Sequence, residues 1–360
     1  MMSFNNQMQS GFSIIELMVA ATISMVLLAG VMTLFSNSRQ TYESNERLAR
    51  LQENGRFALD QMTHDIRSAG YKGCSRRMAG ISPFNNMLHH NGSLLWNFGV
   101  PLQGYEATTA STWSPAVDSL VISPQGGHDI LIVRGPKRDS LPMRVTAPMF
   151  VQNADITVAD PGSADLKTND VVLVSNCYAS SALKVTGYLH NTGTGSGIIS
   201  HAASAAPACC LTPENNNANA GHSYDDTAEV TPVQTVVYYL RARDPVGNPG
   251  LLSLYRRAGT ADAEEIIDGV DALQVLYGVD TNNDQWADTY SAADVVQTSN
   301  NWSRVVGVSI GILVRSMTEY GLERENARTY QVLGASIGPF SDRHQRMVFT
   351  TTATVRNQLQ

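Results

Sequence analysis

The sequence predicts an α+β protein in which one long N-terminal helix packs on antiparallel β-sheet in a large globular head. Three observations carry that prediction. The stretch Gly11 to Phe35 is apolar almost without interruption, and the polar sequence beyond it keeps apolar residues at helical spacing as far as Ile66. In the C-terminal third, large apolar residues alternate with small or polar ones along two long runs, the period of a strand with one face on a core.

From Phe12 the first element reads FSIIELMVAATISMVLLAGVMTLF. At about 1.5 Å per residue, Gly11 to Phe35 spans roughly 36 Å as a helix, enough to cross a bilayer core of about 30 Å. An ordinary secretory signal has a shorter apolar core. A plain membrane anchor would explain the length but has no use for the one charge in the run, Glu16. A carboxylate inside an apolar span is costly and marks a functional candidate whose partner must be named. Cleavage between Gly11 and Phe12 would create one, an α-amino group four residues before Glu16 at the same end of the helix.

A short polar leader ending in Gly, then Phe, then Glu five residues into the mature chain and an unbroken apolar run resembles the class III signal of type IV pilins and type II secretion pseudopilins. The resemblance implies that a prepilin peptidase cuts after Gly11 and methylates Phe12. It also implies that Glu16 neutralises the amine of a neighbouring subunit as helices pack into a filament. Two features depart from the pattern: the leader MMSFNNQMQSG has no Lys or Arg, and Thr33 stands where major pilins often have a helix-bending Pro. The resulting division is a leader (1–11), the transmembrane and filament-core half of the helix (12–35), its amphipathic half (36–70), and a β-rich, pilin-like head (71–360).

Beyond Ser36, Leu48, Leu51, Ala58, Met62 and Ile66 form one stripe, with Glu43, Glu46, Arg50, Glu53 and Arg56 elsewhere. The helix therefore continues with one face buried until Gly70 and Gly73 stop it. The run Gly70-Tyr71-Lys72-Gly73-Cys74 resembles a junction common in the PilW family of large minor pilins.

With 360 residues and 43% hydrophobic content, the chain can hold an anchor and a sizeable core. A net charge of −7 and pI near 5.6 argue against a protein built to grip phosphate backbones. The four cysteines are Cys74, Cys177, Cys209 and Cys210. Outside the cytoplasm disulfides persist, so at least one bridge is expected. Pairing the adjacent Cys209 and Cys210 would be strained, which leaves Cys74 and Cys177 each joining one of them, or each other. A metal site is the weaker alternative, since no C-x-x-C pair occurs.

Residues 75 to about 130 read as irregular, and His89-His90 as part of a surface loop. Strands are expected at Asp129–Val133, Met143–Phe150 and Val171–Ser175. The Gly- and Asn-rich region from Asn191 to Asp226 reads as a loop, its GTGSG lacking the Lys of a phosphate loop.

Val233–Leu240 and Leu251–Arg257, joined by DPVGNPG, read as a hairpin. The segment resembles the corresponding hairpin of PilW and of the type II secretion minor pseudopilin GspJ. Alternation marks further strands around Val306–Val314 and Met347–Val355.

Asp280, Asn282, Asp284, Trp286 (through its carbonyl) and Asp288 have the spacing of a calcium loop, in which a hard cation collects oxygens from a tightly wound backbone. Gln285 replaces the usual Gly, and Ser291 the usual Glu. An Asn/Asp turn capping its own backbone explains the run equally well. That balance already counts the resemblance to PilW, whose members often carry such a run after a segment like Tyr277-Gly278-Val279.

No H-E-x-x-H, G-x-S-x-G or full Walker motif is present, and the remaining histidines are dispersed. The stretch Glu319 to Arg346 is a candidate partner-binding loop. The resemblance implies a non-enzymatic minor pilin with its head in the periplasm, needing no cofactor beyond a candidate calcium. Its partners would be the prepilin peptidase, an inner-membrane assembly platform, other minor and major pilins and a tip adhesin, with no nucleic acid expected. The alternatives are a large pseudopilin of a type II secretion system and a membrane-anchored adhesin or DNA-binding module.

Overall fold

The computed structural model describes residues 13–73, 84–109, 111–160, 166–205, 211–319 and 325–358. The predicted helix is there as one element, Ile14–Ser68, unbroken through Thr33. The hydroxyls of Thr22 and Thr33 donate to the carbonyls of Val19 (2.9 Å) and Ala29 (2.7 Å). Neither therefore brings an unpaired polar group into the apolar run. The chain leaves the helix through Gly70, whose φ of +70° lies in the left-handed region that favours glycine.

Two sheets make most of the head. The larger has ten strands and is built around Glu229–Asp244. That strand pairs antiparallel with Asn248–Ala258 to form the expected hairpin, and also with Ile130–Pro136 and Val171–Ser175. The smaller sheet has the strand order Thr289–Ser291, Val270–Val279, Val305–Arg315, Arg346–Thr354, with all neighbours antiparallel.

The helix sits where the two sheets meet. Leu51, Ala58, Met62 and Ile66 are buried in one core with Leu131, Val133, Tyr238 and Leu254 from the larger sheet and Val308, Ile310 and Ile312 from the smaller. Burying four such side chains supplies several kcal/mol of apolar transfer, about 1.5–3 for each large one. The strand Arg346–Thr354 runs alongside the helix in the same direction. Gln345 reaches Ser44 (3.3 Å), the Phe349 ring lies against Gly55 where a Cβ would overlap it, and Asn357 donates to the carbonyls of Ser68 (3.3 Å) and Ala69 (3.0 Å).

Several expectations need correction. Leu48 is 39% exposed and lies off the buried stripe. Residues 75–130 are not irregular throughout: Phe84–Asn86, Leu102–Ala107 and Trp113–Ser114 are strands, and Trp96, Phe98 and Tyr105 enter a second core. Only Met143–Arg144 of the expected Met143–Phe150 strand forms. Beyond it the amides of Val145 and Met149 bond the carbonyls of Ala228 and Tyr224, which lie outside any strand.

The region from Asn191 to Asp226 is not a plain loop. Its glycines turn a hairpin between Gly187–Asn191 and Ser196–Ser200. Further on, the wholly buried Asn215 accepts from the Lys184 amide (2.7 Å) and donates to the Lys184 carbonyl (2.9 Å). The expected partner loop Glu319 to Arg346 contains a small hairpin, Tyr330–Val332 with Ala335–Ile337, which covers Ala272, Leu313 and Val348.

Candidate functional site

Every residue from 13 to 42 is exposed, including Ile14 (80%) and Val26 (73%). An apolar surface on all sides of a helix has no use in water and requires lipid or other helices around it. Within it, the Ser13 amide donates to Glu16 Oε2 at 3.1 Å, so the carboxylate closes back on the first turn of its own helix. Gly11 and Phe12, the expected cleavage and methylation positions, lie outside the described residues.

At the other end of the helix one carboxylate joins it to both arms of the long hairpin. Asp65 is buried and accepts from Arg138 (2.7 Å), the Tyr238 hydroxyl (2.7 Å) and Arg256 Nε (3.2 Å). Burial alone would raise its pKa, but Tyr238, Arg138 and Arg256 together hold it below the usual carboxylate range. Arg256 continues to Glu264 at 3.0 Å. A cleft of about 520 Å³ opens beside this cluster, between Phe57, Gln61, Arg138 and Glu264.

Further charged groups lie elsewhere in the head. Arg346 bonds Asp271 (2.6 Å) and grips both oxygens of Asp342 (2.6 Å each), with Phe340 against its guanidinium. The Arg346 hydrogen bonds, opposed by a smaller burial effect, pull the Asp342 carboxyl down to about 2. Arg346 is therefore an anchor of the small sheet rather than the free end of a binding loop.

Asp129 bridges the two sheets. Its oxygens accept from the amides of Ala107 (3.2 Å) and Val275 (2.8 Å). Burial, with the charges of Glu106 and Asp294 adding to it, pushes its pKa to about 7. Burial also takes the adjacent His128 down to about 4.

In the Asp280–Asp288 loop the side-chain oxygens serve the loop itself. Asp280 accepts from the amides of Asn283 (2.6 Å) and Gln285 (2.9 Å), Asn282 from Asp284 (2.9 Å), and Asp284 from Trp286 (2.8 Å). Asp288 accepts from the amide (2.7 Å) and hydroxyl (2.6 Å) of Thr281. These are Asx-type turns. Asn283 and Gln285 both take positive φ, and no group of three metal-ligating side chains occurs among the described residues. For a cation to enter, the Asn282 amide nitrogen would have to turn away from Asp284 and Asp288, each 3.1 Å from it.

Cys177 is disulfide-bonded. Cys74, Cys209 and Cys210 lie outside the described residues. His89 bonds the Ser204 carbonyl at 3.1 Å, as a loop histidine does.

Sequence reasoning missed Asp65, Asp129 and Asp271. Only Asp65 left a signal, an acid three residues after Met62 and next to Ile66, inside the apolar stripe.

Residues 237–357 match the family model of type IV pilus-assembly protein W, and residues 6–32 match the prokaryotic N-terminal methylation motif. A comparison with curated proteins returned no match. The two matched segments coincide with separate parts of the architecture. The methylation motif covers the start of the exposed half of the helix, while the pilus-assembly match covers the hairpin and the small sheet that seat the other half. Over about a third of its length the chain is thus similar to type IV pilus-assembly protein W, and at its start to the N-terminal methylation motif; together the two matches support a type IV pilus-related pilin, and the first helix suits a single-pass anchor.

Proposed function

We propose that this protein is a non-enzymatic minor pilin that helps initiate or cap a type IV pilus after prepilin peptidase processing. The observation that carries the reading is the exposed, all-round apolar half-helix with its lone acid, Glu16, in the first turn. In the bilayer, lipid covers that surface. In a filament the helices of other pilins cover it, and Glu16 exchanges its own Ser13 amide for the methylated amine of Phe12 on a neighbour. Partly desolvated, that charge pair is worth more than it would be in water. The head stays in the periplasm and meets other minor pilins, major pilins and a tip adhesin, while the inner-membrane assembly platform lifts the subunit.

Mass analysis of the membrane-extracted protein is expected to find a chain beginning at methylated Phe12. An intact Met1 in cells that have the peptidase counts against the reading. Glu16→Val is expected to be cleaved normally and to be lost from sheared filaments; normal incorporation removes the role given to this carboxylate.

A second reading, a large pseudopilin of a type II secretion system, rests on the same apolar half-helix and Glu16, while the pilus-assembly match over residues 237–357 favours the first. Deletion separates the two, by loss of pili or loss of secretion. A free-standing DNA receptor is disfavoured by the acidic net charge. Neither pilin reading requires a cofactor. For Asp280, Asn282, Asp284, Trp286 and Asp288, calorimetric titration with calcium decides: heat with a rise in Tm assigns the loop to the cation, and no heat leaves it a turn.

A further inference from the structure

The long hairpin descends beside the helix toward the apolar half, and its height can be read step by step. Arg256 meets Asp65. Glu264, opposite Arg256 on the next strand, lines a cleft with Phe57 and Gln61. Ile267 and Asp268, opposite Leu254 and Ser253, line another with Asn54. Arg315, which donates to the Gly250 carbonyl at 2.9 Å, lines a third with Asp268 and with helix residues from Glu43 to Asn54. Going down the hairpin therefore means going down the helix, with the second and third clefts overlapping at Asn54 and Asp268.

From Gly250 to the turn is about 10 Å at roughly 3.3 Å per strand residue. That distance equals about seven residues of helix at about 1.5 Å each. Counted down from that third cleft, Val246 hangs level with about residues 36–47, outside the apolar run that ends at Phe35.

The composition of the tip suits that height. Pro245 to Leu252 carries no charge, and Val246 is 95% exposed. The nearest charges are occupied. Asp244 accepts from the amides of Val246 (3.2 Å) and Gly247 (2.8 Å), which stiffens the turn, and Arg243 bonds Asp268 at 3.0 Å.

We propose that the Pro245–Gly250 turn rests in the headgroup layer of the bilayer that holds the helix, with Val246 as its apolar contact. A second point of contact fixes the height and tilt of the head while the subunit waits for assembly, which a single helix cannot do. The inference rests on the membrane-anchor reading of residues 12–35.

The test uses the full chain in nanodiscs of phosphatidylethanolamine and phosphatidylglycerol containing a headgroup-nitroxide lipid. The Val246 methyl signals are identified by their absence in Val246→Ala. They are expected to be broadened away while those of Val295, half-exposed beyond the far end of the small sheet, persist. In Val246→Asp the Leu252 methyls are expected to recover intensity. Equal persistence of the Val246 and Val295 signals in an incorporated chain overturns the proposal and leaves the anchor intact. A chain that does not enter the nanodisc overturns both.

Discussion

The two halves of one helix live under opposite rules. From Leu51 to Ile66 the protein supplies its own cover, so one stripe is apolar, one face is charged, and a buried acid is matched by two arginines and a tyrosine. From Ile14 to Phe35 it supplies none, and the apolar residues run all the way round. The same backbone therefore carries stability in one half and association in the other. Substitutions should separate accordingly.

The sharpest test is Asp65→Ala, which removes the buried carboxylate that Arg138, Tyr238 and Arg256 share. Losing one partner of such a cluster is expected to cost about 3–5 kcal/mol, read by denaturant unfolding of the head. A loss within error would mean that the Asp65 cluster does not hold the helix to the hairpin. Next, Met62→Ala is expected to cost about 2–5 kcal/mol, whereas Leu28→Ala in the uncovered half should leave head unfolding unchanged. Equal effects at the two positions would erase the distinction between the halves. Gly55→Val drives a branched side chain into the Phe349 ring and is expected to cost about 1–3 kcal/mol.

A last pair of effects, which offset each other in the unaltered protein, is one of pH and belongs to the head alone. Folded Asp129 keeps its proton up to about 7, whereas an unfolded Asp releases it near 3.9, so its contribution to stability falls as pH rises between these values. Folded His128 stays neutral down to about 4 while an unfolded His charges below about 6.5, so its contribution falls as pH drops through that window. The two oppose each other between about pH 4 and 6.5. Thermal melts of Asp129→Asn should show stability rising with pH there, and those of His128→Gln should show it falling. Parallel profiles in both variants would refute the assignment.

What could be read from the sequence tracks how local its cause is. The helix, the hairpin and the two alternating strands announce themselves because period and turn chemistry lie within a few neighbouring residues. The strand Leu102–Ala107 did not, because Gly104 interrupts its pattern to admit the Tyr277 hydroxyl, a contact made across 173 positions that no local window reports. The strand Val270–Val279 stayed hidden for a related reason. Buried on both faces along part of its length, it shows little alternation. At the site, Glu16 was legible as a charge in a greasy run. Asp129 looked like an ordinary acid before a strand, since only the fold removes its water. The Asp280–Asp288 spacing suits a cation and a self-capping turn alike, and sequence could not choose between them.

The alignment of the C-terminal strand with the helix has a consequence for biogenesis. Residues 345–357 leave the ribosome some three hundred positions after the helical face they complete. Such long-range closure is slow. Until it happens Gly55 lacks its Phe349 ring and the carbonyls of Ser68 and Ala69 lack Asn357, so the last stretch synthesised closes one side of a stalk whose other side the larger sheet already holds.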